Sequence, residues 1–317
     1  MPMPTPILIA GPTASGKSAL AVALARRLDG AVVNADSMQV YADLTTLTAR
    51  PGVADLAQAP HRLYGHIAAT TAYSVGSWIE DVSRILAELD VAKRRPIIVG
   101  GTGLYFEVLL NGLSPVPDIP ADVRAHWRAE ADRLGPERLH DVLARQDAEM
   151  AARLRPSDPQ RVTRALEVIA ATGRSLAEWQ RETSKPLLRA DDVVRIVLRP
   201  ERDALHGRCD RRFDAMLADR VLDEVSRLLA LGLDHAKPIM RATGVVPLRA
   251  HLEGRLSLAD AVLRAKADTR HYAKRQMTWA RGRMAGWRQL SGSDPDRSAD
   301  AICERLPADA KMRGQPH

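Results

Sequence analysis

The stretch "ILIAGPTASGKSALAVALARRL", which begins at Ile7, constrains the fold more than any other part of the chain. A short apolar run leads into it, a segment with helically spaced leucines follows, and the residues from Gly11 to Ser18 between them read G-x-x-x-x-G-K-S. This spacing is typical of a loop whose backbone N–H groups hold phosphates where a helix begins. A preceding strand and a following helix are the context that the motif requires. We therefore predict a polyphosphate site in a P-loop NTPase-like α/β core.

Each part of this loop has an expected task. Lys17 would neutralise the terminal phosphate, and the Ser18 hydroxyl would ligate Mg²⁺. The backbone N–H groups from Thr13 to Ser18 would surround the phosphate oxygens at the positive end of the helix. The predicted diphosphate- or nucleotide-binding residues, including any for ATP, are Gly11, Pro12, Thr13, Ala14, Ser15, Gly16, Lys17 and Ser18.

Apolar and helical segments alternate after this loop. "GAVVNADSMQVY" and "PIIVGGTGLY" have the composition of buried strands, and "VGSWIEDVSRILAELDVAKRR" between them has helical periodicity. Strands that alternate with helices are typical of a parallel sheet flanked by crossover helices. The sequence therefore predicts an α/β fold with a parallel sheet.

The composition changes after Asn111. A Pro/Gly-rich connector, "GLSPVPDIPADV", leads into a polar, arginine-rich helical segment, and "VVRIVLRP" then restores a strand signature. A helical block between two sheet-forming portions indicates an inserted all-helical domain. We predict a core of residues 1–114 and 190–291, a helical insertion at 115–189 that contacts tRNA, and a flexible tail at 292–317.

Charge and cysteine content narrow the class of protein. Lys and Arg outnumber Asp and Glu by 46 to 39, which favours an anionic partner such as nucleic acid; an arginine-rich composition explains the same balance equally well. No apolar run approaches the roughly 20 residues that cross a bilayer, and no export signal is visible at the N-terminus. Cys209 and Cys303 form neither a metal motif nor a disulfide framework. These features predict a cytoplasmic protein without a membrane partner.

Asp36 lies at the predicted end of the second strand, in "VVNADSMQVY". Ligands of parallel sheets bind at the carboxyl ends of the strands, so this carboxylate would face the same crevice as the phosphate loop. It has three possible roles: holding a metal through water, acting as a base, or closing the strand with an Asx turn. The strand "PIIVGGTG" ends without the carboxylate that ATPases use to hold their metal.

Five segments together carry a family likeness: "GPTASGKSALA", "NADSMQVY", "IIVGGTGLY", "QRVTRALEV" and "RHYAKRQMTWAR". With these motifs the chain resembles tRNA dimethylallyltransferases, also called tRNA isopentenyltransferases, from Ile7 to about Trp287. The resemblance implies transfer of a dimethylallyl group from dimethylallyl diphosphate to the N6 amine of adenosine 37, next to the anticodon. It further implies that the substrates are tRNAs that read codons beginning with U, that diphosphate is released, and that Mg²⁺ assists the transfer.

The resemblance also assigns roles to residues. It implies that Asp36 is the base and that Thr102 is a second catalytic position. It implies tRNA contacts at Asp36, Ser37, Met38, Gln39, Thr102, Arg124, Gln160, Arg161, Val162, Thr163 and Arg164. The expected partners are the anticodon loop of tRNA and dimethylallyl diphosphate, and we expect a monomer.

Several positions depart from the family pattern. Leu47 replaces a usual glycine in the loop after "QVY", and Arg220 stands where glycine is frequent. Val245 and Val246 replace a tyrosine and a basic residue, and Ala280 replaces a phenylalanine. None of these departures touches the phosphate loop or Asp36.

Three other functions remain open at this point. A small-molecule kinase would use ATP at the same loop and would need a further metal-holding Asp and a lid arginine. A non-catalytic tRNA-binding protein would use the loop as a nucleotide-operated switch. A relative that prenylates free adenine nucleotides would not need the long arginine-rich insertion, which argues for a macromolecular substrate.

Overall fold

A parallel sheet forms the centre of the structure, a computed structural model that describes residues 3–292 and 294–306. Its strands within these ranges are β1 (Ile7–Ala10), β2 (Gly30–Asn34), β3 (His61–Arg62), β4 (Arg95–Gly100), β5 (Val194–Leu198) and β6 (Arg288–Leu290). The strand order is β3-β2-β4-β1-β5-β6, and every neighbouring pair is parallel. The predicted α/β fold with a parallel sheet is confirmed.

The helices account for most of the remaining chain. In chain order they are α1 (Lys17–Arg27), α2 (Val53–Leu56), α3 (Val75–Val91), α4 (Gly103–Asn111), α5 (Ala121–Gln146), α6 (Ala148–Arg153), α7 (Pro159–Thr172), α8 (Leu176–Trp179), α9 (Arg202–Ala218), α10 (Val221–Ala230), α11 (Val245–Leu252), α12 (Leu258–Arg283) and α13 (Pro295–Cys303). Short 3-10 turns lie at Ala190–Asp192 and Pro238–Arg241. Among the described helices, none combines the length and the apolar character that a membrane span requires.

The chain divides into two compact units. One runs to Leu110 and resumes at Leu188, and it contains the sheet. The other spans Asn111–Leu187 and contains α5 to α8. Helices make up all the regular structure described in this second unit, so the chain does carry a helical block between β4 and β5.

Alternation along β1 supplies apolar side chains to both faces of the sheet. Ile7 and Ile9 pack in a cluster with Leu24 of α1, whereas Leu8 packs in a cluster with Trp78 of α3. All five side chains are less than 1% exposed. Because helices cover both faces, the strands can be continuously apolar, which is why "PILIAG" reads as a buried strand.

The helical unit has its own apolar core. Leu139, Leu143 and Leu166 are fully buried there. Helix α5 is interrupted at Gly135, which has a φ of 74° and precedes a proline. A separate core allows this unit to carry polar, arginine-rich outer faces.

A buried carboxylate fixes the loop that follows β2. Glu224 on α10 accepts hydrogen bonds from the backbone N–H groups of Thr45 (2.6 Å), Thr46 (2.9 Å) and Leu47 (2.8 Å). The Leu47 side chain is buried in an apolar cluster with residues of α9 to α12. Charge-assisted hydrogen bonds are stronger than neutral ones, so this loop is held firmly without a glycine at position 47.

The segment after residue 292 differs from the expected flexible tail. Asp294 caps α13 by accepting the Arg297 N–H at 3.0 Å. Ala299 and Ile302 of this helix are buried in the same cluster as α1. The prediction therefore fails for residues 294–306, and residues 307–317 lie outside the described ranges.

Arg220 adopts a left-handed backbone conformation at the start of α10. Its φ and ψ are 59° and 34°. A residue with a Cβ atom pays roughly 1–2 kcal/mol for this conformation, whereas glycine adopts it readily. The exposed side chain pairs with Asp223 at 2.7 Å, and such surface pairs contribute little to stability. The backbone thus explains why glycine suits this position.

We expect Arg220→Gly to raise the free energy of unfolding by about 0.5–1 kcal/mol, because relief of the left-handed strain exceeds the entropic cost of glycine. Urea denaturation measures the change. Arg227→Gly is the matched control: it lies within the same helix at a right-handed position, and it should lower the stability by about 1 kcal/mol. If both substitutions lowered the free energy of unfolding, the inference of backbone strain at Arg220 would be wrong.

Candidate functional site

The strand order brings three predicted segments to one edge of the sheet. Strand β4 lies between β2 and β1, and the carboxyl ends of these three parallel strands point the same way. The phosphate loop, which we define as Gly11–Ser18, follows β1, Asp36 follows β2, and Thr102 follows β4. Ligands of open α/β sheets bind at such an edge. The structure therefore collects the predicted phosphate-binding and catalytic residues of the sheet unit at one place.

The phosphate loop has the backbone geometry of an anion site. Ala14 and Gly16 have φ angles of 59° and 91°, and left-handed residues in such a loop turn successive N–H groups toward one point. Gly16, Lys17 and Ser18 lead into the first turn of α1, where backbone N–H groups have no helical partner. The positive end of the helix dipole and the unpaired N–H groups together favour the binding of a phosphate here.

Two of the predicted N–H donors are committed within the protein. The Thr13 N–H donates to Oε1 of Gln276 at 2.9 Å, and the Ser15 N–H donates to the Pro12 carbonyl at 3.3 Å. The Ser15 side chain is fully buried, and Pro12 has no N–H to donate. The predicted ring of donors from Thr13 to Ser18 is therefore smaller than the motif suggests.

Lys17 is held at the loop and is partly buried. Its Nζ donates to the Pro12 carbonyl at 3.2 Å. Burial lowers the pKa of Lys17 from its usual value to about 8; Asp36 opposes this shift and Arg212 adds to it. Removal of an ammonium group from water disfavours its charged form, so an arriving anion would gain from restoring that charge.

Arg212 is a site residue that the sequence did not single out. Its Nη2 donates to Oγ1 of Thr13 in the phosphate loop. Burial lowers the pKa of its guanidinium, and the charges of Cys209 and Asp36 oppose the shift. The segment "RCDRRFDAM" contains several arginines, and only the packing of α9 determines which of them reaches the loop.

Asp36 is fixed through one of its carboxylate oxygens. Oδ1 accepts the Met38 N–H at 2.9 Å in an Asx turn, and the Asp36 N–H donates to Oδ1 of Asn34 at 2.9 Å. Oδ2 points toward Gly101, where it would lie 3.4 Å from a Cβ atom built on that glycine. Oδ1 thus serves the Asx turn, and Oδ2 is the oxygen left for a chemical role.

Thr102 joins the ends of β2 and β4. Its Oγ1 accepts the Ser37 N–H at 3.0 Å and lies 3.3 Å from Oγ of Ser37, and its own N–H donates to the Ala35 carbonyl at 3.2 Å. Nε2 of Gln39 donates to the carbonyls of residues 48–49 at 2.9 and 3.0 Å. The Ser37 and Thr102 hydroxyls therefore lie beside Asp36, and the oxygen of Gln39 is the part of its amide left for a nucleotide.

An apolar crevice adjoins the phosphate loop. Its walls include Gly11, Gly101, Phe106, Trp279 and Met284. Trp279 packs directly on α4, because a Cβ atom at Gly103 would lie 2.1 Å from its Nε1. A small apolar group would be shielded from water there.

The other predicted tRNA-contacting residues lie in the helical unit. Those with exposed or partly exposed side chains are Arg124, Gln160, Arg161, Thr163 and Arg164. Arg161 pairs with Asp158 at 3.3 Å, and Arg164 pairs with Glu167 at 3.4 Å. The two arginine side chains are 64% and 43% exposed, so they remain open to a phosphate.

Val162 is a correction to the predicted contacts. Its side chain is fully buried in the apolar core of the helical unit. Its side chain packs in one cluster with Leu143 of α5 and Ala177 of α8, so that side chain is not exposed for contact with a tRNA.

The site offers few metal ligands. No group of three or more His, Cys, Asp or Glu residues suited to a metal ion occurs in residues 3–292 and 294–306. Ser18, at the start of α1, is exposed. Mg²⁺ commonly binds through one or two protein oxygens together with substrate phosphates and water. This sparse donor set is compatible with that mode of binding.

Comparison with known proteins gives a consistent result. The family model "IPP transferase" matches residues 39–283, and the model "Isopentenyl transferase" matches residues 5–70. A "tRNA dimethylallyltransferase" of Rhodopseudomonas palustris is 52% identical over 293 residues, which cover 92% of this chain and 91% of the relative. A protein of the same name from a Bradyrhizobium species is 55% identical over 275 residues, 87% and 90% of the two chains.

Solved structures agree with these relatives. The full-length tRNA isopentenylpyrophosphate transferase of Bacillus halodurans has a TM-score of 0.67 at 32% identity and covers 94% of each chain. A eukaryotic dimethylallyltransferase acting on tRNA has a TM-score of 0.76 at 25% identity, covering 98% of this chain and 82% of its own.

The lowered pKa of Lys17 predicts that pyrophosphate affinity falls as the pH rises above 8. With a pKa of about 8, the ammonium form dominates below that pH and is lost above it, so between pH 7.5 and 9.5 affinity should drop on the order of tenfold. Isothermal titration calorimetry measures the change. Lys17→Met is the control that reports the titration of pyrophosphate itself. Equal pH slopes for the wild type and this variant would contradict the prediction.

Proposed function

The chain belongs to the IPP transferase family, and we propose that it transfers a dimethylallyl group from dimethylallyl diphosphate to the exocyclic amine of an adenosine in tRNA. The observation that carries this proposal is the shared edge of the sheet, where the cationic phosphate loop and the Asp36 carboxylate follow strands separated only by β4. The finer assignment, to N6 of adenosine 37 in tRNAs that read codons beginning with U, rests on the motif resemblance alone.

The phosphate loop is suited to the leaving group. Cleavage of the allylic C–O bond leaves the bonding electrons on the diphosphate, where negative charge increases. Lys17, Arg212 and the N–H groups at the start of α1 form a preorganised positive site for that charge. Such groups stabilise a developing anion strongly because they need no reorganisation during the reaction.

Asp36 is suited to the nucleophile. The lone pair of an adenine amine is delocalised into the ring, so attack is easier if a base removes a proton as the new N–C bond forms. Oδ1 of Asp36 is engaged with the Met38 N–H, and Oδ2 is the oxygen that would take the proton. The N–C bond then replaces the C–O bond, and the proton moves from the amine to the carboxylate.

The apolar crevice is suited to the five-carbon group. Phe106, Trp279 and Met284 offer hydrocarbon surface next to the phosphate loop. Removal of apolar surface from water favours binding of the isoprenoid chain. Exclusion of water also protects a reactive allylic cation-like centre from hydrolysis.

A magnesium ion fits the residues at the loop. The Ser18 hydroxyl, together with diphosphate oxygens and water, would hold it. When bound, Mg²⁺ supplies positive charge that stabilises the departing diphosphate.

Arginines of the helical unit are suited to the tRNA backbone. Arg161 and Arg164 are spaced three residues apart on α7, on one side of the helix. Contacts to phosphates position a nucleic acid without reading its sequence. The target base would have to leave the stacked anticodon loop to present its amine to Asp36.

The kinase alternative is not favoured. The relatives described above are named as transferases of an isoprenoid group to tRNA. Strand β4 ends at Gly100, followed by Gly101 and Thr102, so the second metal-holding carboxylate of a phosphoryl-transfer site is missing there.

Incubation of the protein with dimethylallyl diphosphate, Mg²⁺ and unmodified tRNA should yield a prenylated adenosine, detected by mass spectrometry of the digested nucleosides. Asp36→Asn keeps the shape of the side chain and removes the base, so turnover should fall by a factor on the order of 10²–10⁴. Pyrophosphate and tRNA binding should stay within a few-fold of wild type.

Two outcomes would contradict this function. Robust phosphoryl transfer from ATP to a small acceptor, without prenyl transfer, would favour the kinase. Full function of the Asp36→Asn variant would favour a non-catalytic tRNA-binding switch.

Replacement of Arg161 or Arg164 by alanine should weaken tRNA binding and reduce its dependence on salt concentration. Each lost phosphate contact lowers the slope of log affinity against log salt by roughly 0.7–0.9. Filter binding at several salt concentrations measures that slope. Arg153→Ala is the control, because this exposed arginine is paired with Glu149 and was not predicted to contact tRNA. An unchanged slope in both variants would remove phosphate contact as their role.

A further inference from the structure

A single buried glutamine connects two parts of the site. Gln276 lies on α12 and is 9% exposed. Its Oε1 accepts the Thr13 N–H at 2.9 Å, and its Nε2 donates to the Gly101 carbonyl at 3.0 Å. The first bond reaches the phosphate loop after β1, and the second reaches the turn after β4. One carboxamide therefore spans two adjacent strand ends.

The chemistry of the amide matches both partners. A glutamine side chain presents an acceptor and a donor on one rigid plane. A backbone N–H faces its oxygen and a backbone carbonyl faces its nitrogen, so both bonds form in one orientation. An ionised carboxylate would lack the donor, and a thioether would lack both strong groups.

Gln276 also lies where the phosphate side and the carboxylate side of the site converge. A Cβ atom at Gly101 would lie 2.1 Å from Nε2 of Gln276 and 3.4 Å from Oδ2 of Asp36. On the other side, the hydroxyl of Thr13 accepts a hydrogen bond from Arg212. Thr13 and Gly101 are thus the links between the guanidinium, the amide and the carboxylate.

We propose that Gln276 is a positioning residue that sets the phosphate loop against the strand end beside Asp36. It touches no reacting atom in this scheme; it holds Thr13 and Gly101 at a fixed separation. The idea rests on the proposed prenyl transfer, in which the diphosphate end and the amine end of one displacement must stay aligned. A misplacement of about 1 Å in such a reaction can reduce the rate about 100-fold.

Two substitutions separate this role from simple packing. Gln276→Met keeps nearly the same volume and helix propensity and removes both hydrogen bonds. Gln276→Glu keeps the acceptor for Thr13 but places an oxygen against the Gly101 carbonyl. Thr269→Val is the matched control: it removes a buried hydroxyl bond on the same helix, seven residues or about 10 Å away along the helix axis.

The measurements are pyrophosphate affinity by calorimetry, kcat for prenyl transfer at saturating substrates, tRNA affinity, and the midpoint of urea unfolding.

We expect Gln276→Met to weaken pyrophosphate binding about tenfold, the equivalent of one lost hydrogen bond. Its kcat should fall about 100-fold, and its tRNA affinity should stay within twofold. Gln276→Glu should lose at least as much kcat. Thr269→Val should keep wild-type binding and turnover even where its unfolding midpoint falls equally.

Wild-type pyrophosphate affinity and kcat in Gln276→Met would overturn the proposal, because packing alone would then explain the residue. An equal loss of kcat in Thr269→Val would overturn it too, since general destabilisation would be the cause. If the wild type forms no prenylated tRNA, the proposed function fails, and the pyrophosphate affinity of Gln276→Met then decides the role of Gln276. A tenfold loss of that affinity supports the link to the phosphate loop. An unchanged affinity overturns it.

Discussion

The parallel pairing of β4 between β1 and β2 is the constraint on which the site depends. Neighbouring strands lie about 4.8 Å apart, so the ends of β1 and β2 are separated by roughly 10 Å. A diphosphate held after β1 and an amine held near Asp36 after β2 have to approach each other across that gap, because the nitrogen must come within about 3–3.5 Å of the carbon that carries the diphosphate. The residues that follow these strands therefore have to bring the two ends of the reaction together, and the apolar crevice beside Gly11 and Gly101 adjoins them.

Two partly buried cations, Lys17 and Arg212, make the site suitable for an anion. Burial lowers the pKa of both Lys17 and Arg212, and the neighbouring positive charge of Arg212 lowers the pKa of Lys17 further. The single carboxylate of Asp36 opposes that effect for both groups. A bound diphosphate would supply several negative charges where the protein supplies one. The site thus has an excess of positive charge. This excess favours both the binding of the diphosphate and the stabilisation of the negative charge that develops on it during cleavage.

The sequence could reveal the residues whose chemistry depends on local pattern. The loop, α1 and Asp36 follow from a motif between a strand and a helix, and parallel-sheet topology then brings them together. Arg212 could not be found this way, because only the packing of α9 selects it among neighbouring arginines. Gln276 lies in the quoted segment "RHYAKRQMTWAR", but only the packing of α12 shows that its amide joins two strand ends. Val162 is different: it stands four residues before Leu166, an apolar spacing that already indicates a core position. The "DPDRSADAIC" start of α13 likewise contains an N-cap aspartate and a proline at N1.

Helices α9 and α12 complete the site through a small apolar cluster. Leu205 and Cys209 of α9 pack with Ala273 of α12, and Ala14 of the phosphate loop and Met277 pack against them. The short side chains of Cys209 and Ala273 allow both helices to approach the loop closely, which is necessary for Arg212 to reach Thr13 and for Gln276 to reach Gly101. A larger residue at Ala273 would separate the helices from the loop and weaken both contacts at once. The alignment of the chemistry thus depends on the volume of a few apolar side chains that take no part in it.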